Sequence, residues 1–156
     1  MKEKVAGDIM VQQQETVVVS PDATVKEVIG AFTKLAFGTC EKDCIVLVKD
    51  GPKVVGMVTV LDLLQVVEPA FLKGENACEV FWDGLFTQRC RNVADKKVKE
   101  FMRPPVAVES SDSLMHVSSM INRFRTDVVP VVEGDRVVGV VRATDVVRNI
   151  AEAVGQ

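Results

Sequence analysis

The sequence predicts an α+β fold in which one strand–helix–strand–strand–helix unit occurs twice, and three observations support this prediction. Residues 53–64, KVVGMVTVLDLL, match residues 136–147, RVVGVVRATDVV, at five identical positions. A short apolar run precedes each match across a glycine-containing turn, and further upstream each copy has apolar residues at helical spacing. We expect the two units to pack face to face as a pseudo-two-fold pair, because neither covers its own apolar face.

Each unit is expected to begin with a short strand, residues 16–19 in the first copy and 105–108 in the second. An amphipathic helix follows, since apolar residues recur every three or four positions. Cap-type residues, SPDAT in the first copy and SSDS in the second, predict where these helices start. The two apolar stripes consist of Val25, Val28, Ile29, Phe32 and Leu35, and of Leu114, Val117, Ile121 and Phe124.

The second half of each unit reads as a β-hairpin followed by another helix. The apolar runs IVLV, from Ile45, and VVPVV, from Val128, form the first strands of the hairpins, and the matched segments form the second strands. A lead-in ending in methionine, Met10 or Met102, precedes each copy. We therefore divide the chain into repeat 1, residues 1–68, an inserted linker with helical pieces, residues 69–94, and repeat 2, residues 95–156.

The linker concentrates aromatic residues in FWDGLF, residues 81–86, which we expect to cover the core, with a partner surface as the alternative. Basic residues from Arg89 to Arg103 are expected to form a solvated helix face. The four cysteines form no CxxC pair, and His116 lies far from them in sequence, which argues against a metal site.

The composition is typical of a globular protein, with 47% apolar residues, 26% charged residues and a formal net charge of −3. Such a charge implies no strong attraction to nucleic acid. The first ten residues are charged where a secretory signal would be apolar, and no apolar run approaches the roughly 20 residues that cross a bilayer. We expect a cytoplasmic protein with neither a membrane nor a nucleic acid as partner.

The strongest functional signal is the repeated segment GMVTVLD, residues 56–62. Thr59 ends a strand and Asp62 lies in the first turn of the next helix, which is the spacing of a capping box. Capping alone is a sufficient explanation of both residues. The same geometry also predicts a ligand site, because a helix N-terminus attracts phosphate and an ionised carboxylate accepts hydrogen bonds from a ribose diol.

A ligand site in this segment would involve two further features. Gly56 would let another backbone or a flat ring come close. The carboxylate of Asp62 would have to point into an open crevice between the two halves, free to bind a sugar.

The order of these features resembles the CBS domain, named after cystathionine β-synthase, in its usual tandem pair. The shared pattern is a methionine, a β-prone segment, an amphipathic helix and a hairpin ending in G-h-h-T-x-x-D-h, where h is apolar. The resemblance runs from about residue 6 to residue 151, apart from the linker. It implies two CBS-type βαββα repeats that bind AMP, ADP, ATP or an adenosyl compound in the cleft between them, with no catalytic group and no resident cofactor.

Carried over by position, the resemblance implies that Asp62 accepts hydrogen bonds from the ribose hydroxyls and that Thr59 bonds the ribose or a phosphate. Val17 and Ile45 are the implied neighbours of the base.

The second copy departs from this pattern at one position. Arg142 stands where Thr59 stands, whereas Asp145 is retained and Thr144 precedes it. An arginine near a helix N-terminus can hold a phosphate through its planar fork, and a solvated surface arginine is the alternative. Val106, Val128 and Pro130 are the implied lining of the matching base position. We expect one good site and one altered site.

These features predict a stand-alone regulatory module that binds an adenine nucleotide and signals to a separate effector protein of unknown identity. A structural or dimerisation module without ligand is the alternative. We do not expect an enzyme, because the chain offers no cluster of nucleophile, base and orienting group. A homodimer is expected, with the apolar residues of the last helix suiting either the core or the dimer contact: Val146, Val147, Ile150, Ala151 and Val154.

Overall fold

The computed structural model describes residues 2–12, 17–38 and 45–155, and of residues 34–38 it describes the backbone only. The chain divides into two units by contact. The continuous unit is Val17–Pro104, and the split unit combines Met1–Thr16 with Pro105–Gln156. The side chain of Leu35, together with Cys40 and Cys44, lies outside the described residues.

Six helices and seven strands are described, with 3₁₀ turns at Ala70–Leu72 and Val98–Glu100. In chain order they are α1 (Ala6–Ile9), β1 (Val11–Gln12), β2 (Val17–Val19), α2 (Val25–Gly38), β3 (Val46–Asp50), β4 (Lys53–Val58), α3 (Val60–Val67), α4 (Leu85–Val93), β5 (Val108–Glu109), α5 (Leu114–Phe124), β6 (Val128–Glu133), β7 (Arg136–Arg142) and α6 (Ala143–Val154).

The continuous unit contains a three-stranded sheet of order β2-β3-β4, in which β2 is parallel to β3 and β3 is antiparallel to β4. Gly51, with φ 60°, turns the hairpin, because glycine adopts the left-handed region without steric cost. From α2, Val28 and Phe32 of the predicted stripe pack on this sheet with Val46, Val48 and Val58. Val25 packs instead with Val66 and Val93. The prediction is wrong for Ile29, which is 41% exposed. Thr24 caps the helix, since its hydroxyl accepts from the N–H of Glu27 at 3.3 Å.

The split unit contains a four-stranded sheet of order β1-β7-β6-β5. The strand β5 is parallel to β6, β6 is antiparallel to β7, and β1 adds a short antiparallel pairing to β7. Ser113 caps α5 by accepting from the N–H of His116 at 3.2 Å. Both units therefore contain the predicted strand–helix–strand–strand–helix repeat, and the α+β class is confirmed. The face-to-face packing of the repeats stays a prediction.

The two lead-ins are exchanged between the repeats, a feature that the repeated sequence pattern does not predict. The segment ending at Met10 continues into β1 and pairs with β7 of the second repeat. The segment ending at Met102 packs on the first repeat, where Met57 and Arg103 exchange two backbone hydrogen bonds of 3.0 and 3.1 Å. The two units consequently differ from a division by sequence similarity, and the predicted boundaries, residues 1–68, 69–94 and 95–156, stay a prediction.

The exchange explains the glycine in each repeated segment. A Cβ added at Gly139 would lie 2.7 Å from the carbonyl oxygen of Val11 and 2.9 Å from Sδ of Met10. A Cβ added at Gly56 would collide with Met102 and lie 3.1 Å from the carbonyl oxygen of Arg103. The expected close approach of another backbone is confirmed at Gly56, and the structure shows the same feature at Gly139.

The linker is helical where the sequence predicted helical pieces, but its aromatic residues do not cover the core. Phe81, Trp82 and Phe86 are 68%, 50% and 73% exposed, so that expectation is wrong for these three side chains. Leu85 and Val93 are the residues that α4 buries. The aromatics lie outside because they precede α4 or face away from its buried side, and Trp82 stacks on Phe71 at a centroid distance of 6.0 Å.

We predict that Gly139→Ala lowers the free energy of unfolding by about 1–3 kcal/mol, because the new methyl group overpacks a site closed by the backbone of β1. Urea unfolding followed by circular dichroism measures this change. Gly30→Ala in α2 is the control, because no atom lies within 4 Å of the added Cβ, and it should gain about 0.5–1 kcal/mol. Equal stabilities of Gly139→Ala and the parent chain would contradict this account.

Candidate functional site

The turn from β4 into α3 fixes the carboxylate of Asp62. Thr59 is the N-cap residue of α3 and Asp62 is the third residue of the helix. Oδ2 of Asp62 accepts hydrogen bonds from the backbone N–H of Thr59 at 2.8 Å and from its hydroxyl at 3.0 Å. Both residues are buried, with Asp62 only 6% exposed. The predicted capping role of Asp62 is confirmed.

Arg103 donates hydrogen bonds to the remaining acceptor positions of the Asp62 carboxylate. Its Nη2 donates to Oδ1 at 2.7 Å, and its Nε lies 3.0 Å from both oxygens. The arginine side chain is 14% exposed, so the prediction of a solvated position is wrong for this residue. The expectation that this carboxylate is free is wrong as well. The crevice between the two halves and a ligand role for Asp62 stay predictions. The sequence signal for this contact is the position of Arg103 directly after Met102.

The other predicted residues of the first copy lie at the end of the continuous unit's sheet from which α3 starts. Val17 begins β2 and pairs with Val46, the first residue of β3. Ile45 is 3% exposed and directly precedes Val46, whose partner on β4 is Val58. This end of the sheet therefore brings apolar side chains near the start of α3. The contact of Val17 and Ile45 with a base stays a prediction.

The split unit builds an equivalent arrangement around Asp145, the third residue of α6. Oδ2 of Asp145 accepts from the backbone N–H of Arg142 at 3.0 Å and from Nε at 2.9 Å, and Oδ1 accepts from Nη2 at 2.7 Å. Arg148 approaches Oδ1 at 3.6 Å. Arg142 is therefore not the solvated surface residue of the alternative interpretation, and its phosphate role stays a prediction.

The remaining predicted residues of the second copy also belong to the split unit. Val128 begins β6 and pairs directly with Arg142, and Pro130 pairs with Val140. Val106 is 3% exposed, whereas Thr144 is exposed on the first turn of α6. The structure thus places each predicted set within one unit, and whether either set binds a ligand stays a prediction.

The environment of Asp145 favours its ionised form. The side-chain hydrogen bond from Arg142 is the largest influence and holds the pKa of Asp145 below its ordinary value of 3.8, although burial acts in the opposite direction. The backbone hydrogen bond and the charges of Arg142 and Arg148 lower this pKa further. The carboxylate is consequently charged at neutral pH.

We searched the described part of the chain for metal-ligand clusters and for membrane-spanning helices. Residues 2–12, 17–38 and 45–155 contain no group of three or more histidine, cysteine or acidic side chains placed to hold a metal ion. Within the same ranges, every helix is too short or too polar to cross a membrane. Cys78 and Cys90 are free thiols.

The CBS domain family model matches residues 6–69 and 98–152, well over half of the chain. The chain belongs to the CBS domain family. The two matched segments correspond to the two repeats described above, without most of the linker. A search of curated protein sequences finds no match.

Solved CBS-pair structures share this fold. The CBS-pair protein CBSX2 from Arabidopsis thaliana is 20% identical, with 99% of each chain covered and a TM-score of 0.65. CBSX2 in complex with AMP matches with a TM-score of 0.57, at 20% identity over 96% of this chain and 98% of that one. A CBS domain-containing protein from Thermotoga maritima, TM0935, is 18% identical, with 97% of each chain covered and a TM-score of 0.65.

A third protein of known structure is the CBS domain pair of MJ0100, solved in complex with 5′-methylthioadenosine and S-adenosyl-L-methionine. It is 17% identical, with 97% of this chain and 99% of that chain covered and a TM-score of 0.62. At these identities the likeness establishes the fold of the CBS pair.

We predict that the Asp145–Arg142 pair makes stability sensitive to acid. Because the pKa of Asp145 is lower in the folded chain than its ordinary value of 3.8, the stabilisation is complete above that value and is lost as the pH falls through the lower, folded-state pKa. Carboxyl-carbon NMR titration should give a pKa for Asp145 below 3.8 in the parent chain and a higher one in Arg142→Met. Arg136→Met, a change at an exposed residue at the far end of β7, should leave this titration unchanged. An unaltered titration in Arg142→Met would refute the assigned cause.

Proposed function

We propose that this CBS domain protein is a regulatory module that binds an adenine nucleotide or an adenosyl compound and passes the ligand state to a separate effector protein. One observation carries the proposal. Each repeat holds an ionisable aspartate, Asp62 or Asp145, at the third position of the helix that follows its hairpin, beside the apolar start of the neighbouring strands. This arrangement offers an acceptor for sugar hydroxyls next to a surface for a flat base.

The relatives of known structure support this ligand class. CBSX2 was solved with AMP, and MJ0100 was solved with 5′-methylthioadenosine and S-adenosyl-L-methionine. These three ligands share an adenosine group and differ in what the 5′ carbon carries. A site for this class must therefore recognise the base and the ribose, which are the roles we assign to Val17, Ile45, Thr59 and Asp62 in the continuous unit.

The split unit suits a different ligand or a ligand bound differently. Arg142 replaces the hydroxyl of Thr59 with a guanidinium directly at the N-terminus of α6. Guanidinium groups and helix N-termini both favour phosphate oxygens. In this site we assign the phosphate to Arg142 and Thr144, the ribose to Asp145, and the base to Val106, Val128 and Pro130.

A second candidate function is a structural module that binds no ligand. The hydrogen bonds of Asp62 favour it, because every acceptor position of this buried carboxylate is already filled by Thr59 and Arg103. On this account both aspartates serve only as helix caps and ion-pair partners. A measurement of ligand binding distinguishes the two functions, because only the regulatory module binds a nucleotide.

We predict that Asp62→Asn weakens the binding of the preferred nucleotide by about 10- to 100-fold, because it removes charge-assisted hydrogen bonds to the ribose. The amide keeps the shape of the side chain and an oxygen that can accept from Thr59. Isothermal calorimetry with AMP, ADP, ATP and S-adenosylmethionine, with and without magnesium, measures the effect.

Asp50→Asn is the matched control, because Asp50 is an exposed residue at the hairpin turn of the same unit. It should bind as the parent chain does. Equal affinity of Asp62→Asn and the parent would contradict the role of Asp62, and an absence of binding across the whole panel would support the structural module.

We also infer a homodimer that uses the exposed apolar side of α6. Val146 is buried, whereas Val147, Ile150 and Val154 are 59%, 52% and 79% exposed. A row of exposed apolar side chains on one helix indicates an interaction surface.

We predict that Ile150→Arg weakens dimerisation at least tenfold, because burying an unpaired charge in an apolar contact is costly. Sedimentation velocity over a concentration series measures the dissociation constant. Met115→Arg, at a 78% exposed position on α5 of the same unit, should have no effect. A parent chain that sediments as a monomer at high concentration would contradict the dimer.

A further inference from the structure

We infer that Arg103 sets the ligand affinity of the continuous unit, because it occupies the acceptor positions of Asp62 that a ribose diol requires. This inference rests on the proposed function. Arg103 belongs to none of the residues assigned to the ligand, and it comes from the lead-in of the other repeat. Its role is that of an internal competitor that must leave the carboxylate before a sugar can bind there.

The count of donors and acceptors on Asp62 supports this role. An ionised carboxylate offers about four lone-pair positions. Four groups already donate to Asp62: the N–H and hydroxyl of Thr59, and Nε and Nη2 of Arg103. No acceptor position remains for a further donor, so a ligand hydroxyl binds only by replacing one of these groups.

Arg103 is the partner that can be replaced. The two Thr59 groups are three residues from Asp62 and belong to the cap that starts α3. The guanidinium comes from a separate segment, 41 residues along the chain, and its side chain can move while the backbone keeps its two bonds to Met57. A ribose 2′,3′-diol offers two hydroxyl donors, the same number that Nε and Nη2 supply, so the exchange preserves the hydrogen bonds of the carboxylate.

The split unit shows that this pairing is a repeated feature. Val11 follows Met10 there, at the position that Arg103 has after Met102, and it brings no charge. Arg142 instead donates to Asp145 through the same two groups, Nε and Nη2. Both carboxylates thus receive a guanidinium, from different sequence positions. Arg142 is also the N-cap residue of α6, so its backbone is fixed beside Asp145, whereas Arg103 is independent of the helix it contacts.

Competition of this kind weakens the measured affinity in a predictable way. The apparent dissociation constant equals the intrinsic constant divided by the fraction of molecules in which Asp62 is free. Asp62 is 6% exposed and the Arg103 side chain 14% exposed, and a shielded, doubly bonded ion pair opens rarely. If the pair is open in less than about a tenth of the molecules, removing Arg103 tightens binding by about tenfold or more.

The test compares the binding of adenosine to the parent chain, Arg103→Met and Arg103→Lys by calorimetry. Adenosine is chosen because it carries the diol and the base but no phosphate that a released arginine could bind. We expect Arg103→Met to bind adenosine at least tenfold more tightly than the parent. Arg103→Lys should lie between the two, because an ammonium group lacks the planar fork of the guanidinium. Arg91→Met, at an exposed position of α4 in the same unit, is the control and should match the parent.

The outcomes separate this inference from the proposed function. Binding of AMP by the parent, together with unchanged or weaker adenosine binding by Arg103→Met, overturns the role of Arg103 and leaves the proposed function intact. An absence of binding by the parent and by every variant overturns both. A purely structural role for Arg103 predicts no gain in affinity.

A measurement on the parent chain covers the case in which Arg103→Met fails to fold. The Nε–H resonance of Arg103, assigned by its disappearance in Arg103→Lys, reports the contact with Asp62 directly. Saturating AMP should shift this resonance and speed its exchange with water. An unchanged Nε–H resonance under saturation, in a chain whose AMP binding depends on Asp62, contradicts the exchange.

Discussion

A buried carboxylate, held at the start of a helix and neutralised by a guanidinium, organises each unit of this protein. In the continuous unit, Asp62 accepts from Thr59 at the end of β4 and from Arg103 in the following lead-in, so one side chain connects hairpin, helix and lead-in. An isolated charge with 6% exposure would be strongly unfavourable. Because the guanidinium compensates that charge, an ionised group can remain next to an apolar core. The same reasoning applies to Asp145 and Arg142 in the split unit.

Capping alone does not distinguish these two aspartates. The same bond, from a backbone N–H to a carboxylate three residues later, joins Val5 to Asp8 at 2.8 Å and Lys97 to Glu100 at 2.9 Å, both at exposed positions. Asp62 and Asp145 differ from these caps by their burial and by their bidentate arginine partners. A ligand reaches a buried, paired carboxylate only by replacing the partner that donates to it. At an exposed cap, water also donates hydrogen bonds to the carboxylate. Burial and an arginine partner therefore distinguish these two positions from ordinary helix caps.

Each repeat of the CBS pair carries a lead-in that packs on the other repeat. Repeat 2 supplies, through Met102 and Arg103, the backbone that covers Gly56 and the cation that binds Asp62. Repeat 1 supplies Met10 and Val11 to Gly139, and Val11, at the position equivalent to Arg103, carries no charge. The two candidate sites are consequently similar in backbone and different in charge: one takes its arginine from a separate segment, and the other carries it within the motif. This asymmetry underlies our proposals that Arg103 is replaced by a ligand in one site and that Arg142 binds a phosphate in the other.

The repeated unit, the α+β class, the starts of α2 and α5 and the capping position of Asp62 could all be predicted from the sequence. These are local features, because the spacing of apolar residues and the preference for cap residues act within a few positions along the chain. Membership of the CBS family was also evident from the order of the motifs. Three features become visible only in the folded chain: which lead-in covers which glycine, the pairing of Arg103 with Asp62, and the exposure of Phe81, Trp82 and Phe86. These features depend on pairing between segments that are distant in the chain, and the local pattern is equally compatible with either partner. Packing and charge compensation in the folded chain decide which segments pair, and the spacing of residues along the sequence does not reveal these interactions.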